Sequence, residues 1–118
     1  MRRDGRLTKT QEYALVYNRG GSWSTGLLVM RALPNNLETS RYGLSVSKRV
    51  GNAVTRNRMK RLLREILRAV PLKPAWDIVF IVRPAAATVD YAGLKKSVVS
   101  LLTRAGITET SSAGKAIG

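Results

Sequence analysis

The segment from residue 53 to residue 70 constrains the fold more than any other part of the sequence. Asn52 is a favourable N-cap residue and Pro71 and Pro74 follow the segment, so one long helix is predicted between them. At about 100° per residue, one arc of this helix is apolar. Its members are Met59, Leu62, Leu63, Ile66, Leu67 and Val70. Such a helix needs a second layer that covers this arc, and a small sheet is the natural candidate.

The opposite arc of the same helix is cationic, and we call it the cationic ridge. Its members are Arg56, Lys60, Arg61, Arg64 and Arg68, with Asn57 among them. Arg58 falls outside this arc, at roughly 200° from Arg56. Like charges four residues apart repel by a few tenths of a kcal/mol per pair, and no acidic residue is interleaved at that spacing. The pattern therefore favours an anionic partner that relieves the repulsion.

The composition agrees with a polyanion as the partner. The chain has 21 Lys and Arg against 7 Asp and Glu, which gives a formal net charge of +14. Seven of the basic residues lie between residues 48 and 64, and Lys48, Arg49 and Arg41 could extend the ridge. Arg suits phosphate because its planar fork binds two oxygens at once. Asn57 could donate to a phosphate, a sugar or a base edge.

The same composition excludes most enzyme chemistry from this chain. Without His or Cys there is no catalytic triad, thiol nucleophile, disulfide or zinc finger. The seven acidic residues are scattered, and no two share a motif for a metal or an acid–base pair. The longest purely apolar runs have five residues and no signal peptide is evident, so a cytoplasmic protein without a membrane span is expected.

The remaining sequence predicts strands and two shorter helices. Thr8 and Gln11 fit a capping box, which predicts a helix from there to about residue 18, ended by the glycines at 20 and 21. Extended segments are predicted at residues 22–25, 27–33, 42–47 and 76–82. The last of these is nearly all apolar, so both of its faces should be covered. A final helix is predicted over 91–105, capped by Asp90 and ended by Gly106.

These elements define one α+β domain in residues 1–107. Their order predicts a two-layer sandwich in which helices pack on one small mixed sheet. Residues 1–6 are expected to form a flexible basic arm, and residues 108–118 are expected to be a disordered tail.

Tyr13 and Tyr17 stand four residues apart on one face of the first helix. Two interpretations remain open at this point. Aromatic residues at this spacing commonly pack into a core, and they can also form a stacking platform for unpaired bases. Trp23 and Trp76 are predicted to be packing residues.

Several motifs together resemble the bacterial ribonuclease P protein family. The central one runs through Leu44–Lys48 and Gly51–Val54 into the Arg-Asn-Arg sequence at 56–58 and the basic residues up to Arg64. The likeness extends to Arg6 and Leu7 with the two tyrosines, to the strand at 42–46 and to the strand that begins at Asp77. It can be followed over residues 6–107.

This resemblance implies a fold, a function and a set of site residues. The strand at 42–47, the long helix and the strand at 76–83 would form a left-handed crossover. The protein would assist removal of the 5′ leader from precursor tRNA, while a separate RNA subunit holds the catalytic Mg²⁺. No cofactor and no catalytic residue would belong to this chain. Tyr13 and Tyr17 would line a cleft for the single-stranded leader. Arg56, Asn57, Arg58, Lys60, Arg61 and Arg64 would face the catalytic RNA. Apart from the resemblance, the neighbouring Lys48, Arg49, Asn52 and Arg68 are also predicted to bind RNA.

Two other classes of protein fit parts of the sequence. A structural RNA-binding protein, such as a small ribosomal or ribosome-associated protein, would have the same composition. A DNA-binding module would favour a dimer with paired half-sites, and the sequence gives no sign of one. The expected partners are therefore the ribonuclease P RNA and precursor tRNA, with no DNA and no membrane.

Overall fold

One mixed sheet and three α-helices form the part of the chain that the computed structural model describes, residues 5–108. The elements are β1 (Gly5–Arg6), α1 (Thr10–Arg19), β2 (Gly21–Ser24), β3 (Leu28–Pro34), β4 (Arg41–Ser45), α2 (Ala53–Ala69), β5 (Trp76–Val82), a 3₁₀ helix (Pro84–Thr88) and α3 (Tyr91–Ala105). The predicted α+β class and the predicted order of helices and strands are confirmed. The two-residue β1 and the 3₁₀ helix are additions that the sequence patterns did not predict.

The strands are arranged in the order β1-β4-β5-β3-β2, which places β5 at the centre. β5 runs parallel to β4 and antiparallel to β3, and Phe80 pairs with Leu44 on one side and with Met30 on the other. Because β4 and β5 are parallel neighbours, the chain between them must cross over the sheet, and α2 makes that crossover. Its left-handed sense stays a prediction from the family resemblance.

The larger core lies on the face of the sheet that α2 and α3 cover. Alternate residues of β5, which are Ile78, Phe80 and Val82, point to this face. The buried residues of α2 are Met59, Leu63, Ile66 and Leu67, which confirms most of the predicted apolar arc. Trp23 and Trp76 pack against the same core, as predicted.

Helix α1 lies on the opposite face of the sheet. Val16, which is the buried residue of α1, packs with Leu7 and with Val79 of β5. Both faces of β5 are therefore covered, as its apolar sequence predicts. The apolar contact of α1 is much smaller than that of α2.

The predicted ends of α2 and α3 are confirmed, whereas the predicted start of α1 is wrong. Asn52 accepts a hydrogen bond from the Thr55 N–H at 2.9 Å, and Asp90 accepts one from the Gly93 N–H at 2.9 Å. Helix α1 begins at Thr10 rather than Thr8, because Glu12 rather than Gln11 caps it. A carboxylate is a stronger acceptor than an amide at the positive end of a helix.

The predicted arm and tail also need correction at their inner ends. Gly5 and Arg6 pair in parallel with Arg41 and Tyr42, and the Leu7 N–H donates to the Tyr42 carbonyl at 2.8 Å. Leu7 is buried, which holds this strand in place. At the other end, Thr108 is buried and bridges to Leu72. The rest of the predicted arm, residues 1–4, and of the predicted tail, residues 109–118, lies outside the described residues.

Candidate nucleic-acid interface

The cationic ridge is directed away from the core because the opposite side of α2 is anchored in it. Arg61 and Arg68 are exposed, whereas Arg56, Lys60 and Arg64 are partly buried. Over residues 5–108, no side chain of the ridge forms an ion pair. The Nε atoms of Arg56 and Arg64 are shielded from solvent and have no hydrogen-bond partner there. Guanidinium and ammonium groups that form no ion pair are available to an anionic ligand.

The residues before α2 form a tight turn that presents two further cations. The Val50 N–H donates to the Ser47 carbonyl at 3.1 Å, and the buried Val50 side chain fixes the turn to the core. Lys48 and Arg49 are exposed on this turn, next to the start of the ridge. Asn52, although exposed, commits its side-chain oxygen to the cap of α2.

Arg58 lies apart from the ridge, as its helical angle indicates. Its Nη1 contacts the Sδ of Met59 at 3.9 Å and donates to the Ala87 carbonyl of the 3₁₀ helix at 3.4 Å. Asn57, by contrast, is exposed beside the ridge. The Arg-Asn-Arg sequence therefore combines a partly buried residue of the ridge, an exposed asparagine and an arginine that faces the 3₁₀ helix.

A cavity of about 160 Å³ opens where β4, α1, α2 and the segment after β1 meet. Lys60 and Arg64 line it from α2, and Tyr13 lines it from α1. Arg6 and Thr8 complete the polar part of its wall. The family resemblance implied a cleft lined by Tyr13 and Tyr17. In the structure Tyr13 and two residues of the ridge line this cavity, and Tyr17 is not among its lining residues. The positions of Arg6 and Thr8 at this cavity were not predicted, because they depend on the pairing of β1 with β4.

Tyr13 rests on β4 at Gly43, and the fit between them is close. A Cβ atom at Gly43 would overlap the Oη of Tyr13 and its ring. The Tyr13 hydroxyl donates to the Leu7 carbonyl at 3.4 Å. Partial burial raises the pKa of Tyr13, and the nearby Tyr17 phenol raises it further, so Tyr13 remains a neutral hydrogen-bond donor.

Tyr17, one turn further along α1, points outward. Its side chain is 38% exposed, and its backbone carbonyl accepts a hydrogen bond from Nη2 of Arg31 at 2.6 Å. The core-packing interpretation therefore holds in part for Tyr13 and does not hold for Tyr17. An exposed aromatic ring beside basic residues is available to stack on a base.

A chain of ion pairs connects α1 to the centre of the sheet. Nη1 of Arg41 donates to Oε2 of Glu12 at 2.8 Å, while Nε and Nη2 of Arg41 donate to the two oxygens of Asp77 at 2.9 and 2.6 Å. Asn35 also donates to Asp77 at 2.8 Å. Hydrogen bonding to Asp77 raises the pKa of Arg41. The expectation that Arg41 extends the ridge is therefore wrong, since two carboxylates hold it.

Glu12 makes the stability of the protein depend on pH in a defined direction. The pKa of its carboxyl lies below the ordinary value, chiefly because it accepts hydrogen bonds from the N–H groups of Lys9 and Thr8, and also because Arg41 is close. A lowered carboxyl pKa adds stability above the unfolded-state pKa, and this is lost as the pH falls through the folded-state pKa.

We therefore expect the Glu12→Gln variant to be less stable than the wild type by a constant amount between about pH 6 and pH 8. The difference should shrink below about pH 4.3, the ordinary glutamate pKa. Urea unfolding of both proteins over this range measures it. An undiminished difference at about pH 3 would contradict the assignment.

Two further features of residues 5–108 bear on the class of protein. No helix there is long and apolar enough to cross a bilayer. No three His, Cys, Asp or Glu side chains in that part of the chain group together as a metal site would require.

Cations on α2 and an aromatic ring on α1 meet at one cavity, an arrangement typical of RNA-binding proteins. Comparison with known proteins gives the family. The family model described as Ribonuclease P matches residues 1–106, and the chain belongs to this family.

Curated relatives and solved structures agree with this assignment. The ribonuclease P protein component of Dehalococcoides mccartyi (strain CBDB1) is 54% identical over 107 residues, which cover 91% of this chain and 89% of the relative. That of Roseiflexus sp. (strain RS-1) is 41% identical over 118 residues, covering 98% and 97%. The Staphylococcus aureus RNase P protein superposes with a TM-score of 0.80 at 29% identity, covering 89% and 98%. The Thermotoga maritima protein gives 0.76 at 30%, covering 84% and 96%.

The family resemblance and the function that it implied are thereby confirmed. The chain is part of an endoribonuclease ribonucleoprotein, and in bacteria the RNA of that enzyme carries the catalysis. Its function is to assist this RNA in removing the 5′ leader from precursor tRNA. Nothing in the comparisons supports the alternative of a structural ribosomal protein.

Proposed function

We propose that the cavity beside Tyr13, including Lys60 and Arg64 of the ridge, binds the single-stranded 5′ leader, while the residues of the cationic ridge outside this cavity bind the ribonuclease P RNA. One observation carries this division of roles. Tyr13 of α1 and Lys60 and Arg64 of α2 line the same cavity although they come from opposite faces of the sheet. A stacking surface and phosphate-binding cations are therefore available to one nucleotide at once.

The chemistry of the cavity favours an unpaired strand over a duplex. A base can stack on an aromatic ring only when its face is free, and such stacking tolerates every base. Lys60, Arg64 and Arg6 would neutralise the phosphates on either side of the stacked base. The exposed ring of Tyr17 offers a second stacking surface one helical turn away, so the leader would run along α1.

This arrangement favours the precursor over the product. Both forms of the tRNA would meet the holoenzyme, but only the precursor carries a leader that reaches the cavity. The basic surface would also offset repulsion between the RNA phosphates and so lower the Mg²⁺ concentration that the RNA needs. We propose that this Mg²⁺ binds at the active site of the RNA and that this chain alone holds no cofactor. We also propose that the enzyme is cytoplasmic.

Replacing Tyr13 or Tyr17 by Ala tests the leader site. Each change is expected to weaken binding of leader-bearing precursor by about fivefold to 100-fold, since stacking contributes ~1–3 kcal/mol per base. Affinity for mature tRNA should change little. Both affinities are measured with holoenzyme reconstituted from the full chain and a ribonuclease P RNA.

Two control variants sharpen this test. Tyr13→Phe keeps the ring and should retain most of the preference for precursor. Tyr91→Ala removes a tyrosine that packs on the α2 and α3 side of the sheet, and it should not change the preference. Equal losses for precursor and mature tRNA in Tyr13→Ala and Tyr17→Ala would exclude the proposed leader site.

A further inference from the structure

We propose that Glu12 is a positioning residue: it holds α1 at a fixed distance from the sheet and thereby sets how strongly the enzyme prefers precursor to mature tRNA. This inference rests on the proposed binding of the leader beside Tyr13. An acidic residue would then contribute to the recognition of a polyanion, although its negative charge by itself would weaken binding.

The geometry of Glu12 connects two parts of the fold. Its Oε1 accepts hydrogen bonds from the N–H groups of Thr8 and Lys9, both at 3.1 Å, and so fixes the start of α1. Its Oε2 accepts from Arg41, whose other nitrogens bind Asp77 of the central strand. One carboxylate therefore joins the first turn of α1 to β4 and, through Arg41, to β5.

Both walls of the leader cavity lie next to this connection. Tyr13 directly follows Glu12, and Thr8 both lines the cavity and donates to Glu12. Gly43 stands two residues after Arg41, on the same face of β4. Because the Tyr13 ring already touches the backbone at Gly43, the helix cannot move closer, and the ion pair keeps it from moving away.

Apolar packing alone does not fix the position of α1. Val16 is its buried residue, whereas α2 buries four. Arg31 holds the C-terminal end of α1 through the Tyr17 carbonyl. Apolar contacts are not directional, so the N-terminal end, with so small a contact, can tilt at little cost. Charge-assisted hydrogen bonds have defined lengths and angles, and the Glu12–Arg41 pair is partly shielded, with side chains 18% and 26% exposed.

Simple electrostatics and the positioning role predict different changes in the two tRNA affinities. Removing an acidic side chain from a chain of net charge +14 should strengthen binding of every RNA, precursor and mature alike. Loss of positioning should instead lower the precursor affinity relative to the mature one. The ratio of the two affinities therefore separates the two effects.

The test compares Glu12→Gln with Asp90→Asn in reconstituted holoenzyme containing the full chain. Both changes remove one negative charge from the first turn or cap of a helix. Asn at position 90 can still accept the hydrogen bond from the Gly93 N–H, and α3 packs on the other face of the sheet. We expect Glu12→Gln to lower the precursor-to-mature affinity ratio by about threefold to tenfold, as for coupled neighbouring residues. Asp90→Asn should leave the ratio unchanged.

Two further measurements distinguish positioning from a general loss of structure. Affinity for the ribonuclease P RNA alone should not fall in Glu12→Gln, because the ridge is anchored by α2. If Glu12→Gln does not fold by circular dichroism, Glu12→Asp takes its place. That variant keeps the charge and can keep the cap, but it is one methylene too short to hold Arg41 as well, so it should also lower the ratio.

Each outcome bears on a different proposal. A ratio that is unchanged in the folded Glu12 variant, or lowered equally in Asp90→Asn, overturns the positioning role. A wild-type enzyme without any preference for precursor would instead overturn the leader site itself. A lowered ratio in the Glu12 variant alone, with unchanged affinity for the ribonuclease P RNA, supports the inference.

Discussion

Replacing Arg56, Arg61 and Arg68 together by Ala is expected to lower the affinity for ribonuclease P RNA by about 1,000-fold or more. Hydrogen bonds to charged groups contribute about 1.5–3 kcal/mol each, and three of them are lost. The salt dependence should change as well. For roughly six phosphate contacts, log affinity should fall with log salt at a slope of about −4 to −5, and the triple variant should be shallower by about 2. Filter binding or fluorescence titration over a salt series measures both quantities.

A matched variant removes the same charge from another part of the surface. Lys73, Lys95 and Lys96 lie on the loop before β5 and on α3, and their replacement by Ala lowers the net charge equally. This control should weaken binding only modestly, through the general field of the protein. If it loses as much affinity as the ridge variant, net charge rather than the ridge determines binding.

Phe80→Ala is expected to reduce the free energy of unfolding by about 3–5 kcal/mol. Phe80 is fully buried at the centre of β5, the strand that both layers of helices share. The loss is a large fraction of the roughly 5–15 kcal/mol that such domains possess. Urea unfolding followed by circular dichroism gives the value.

Val54→Ala is the control for this change. Val54 is 76% exposed near the start of α2, so its truncation should alter the free energy of unfolding by less than about 0.5 kcal/mol. If Phe80→Ala reduced the free energy of unfolding by a similarly small amount, β5 would not be the strand that organises the core.

The sequence predicted best the elements whose signals are local. The periodicity of α2, the cap at Asn52 and the apolar run of β5 each need only neighbouring residues, and all three are confirmed. The predicted start of α1 was wrong because Gln11 and Glu12 are both possible capping residues. Glu12 is the stronger acceptor, and it also gains an ion pair from Arg41. Residue spacing cannot reveal that second partner.

The candidate site was predicted only as separate parts. The ridge follows from helical angles, which also separate Arg58 from it. The cavity does not, because it depends on the pairing of β1 with β4 and on the side chains of α2 that reach it. The prediction for Arg41 failed for the same reason. The sequence places Arg41 near other basic residues, but only the fold brings Asp77 beside it.

The mixed sheet also has a consequence for the order in which the protein folds. Arg41 pairs with Gly5 on one side and with Asp77 on the other, each 36 positions away along the chain. The β2–β3 hairpin and the three helices need only local contacts, whereas these parallel pairings close long loops and are slow. We expect the two-residue β1 to join last, so that the cavity beside Tyr13 is completed at the end of folding.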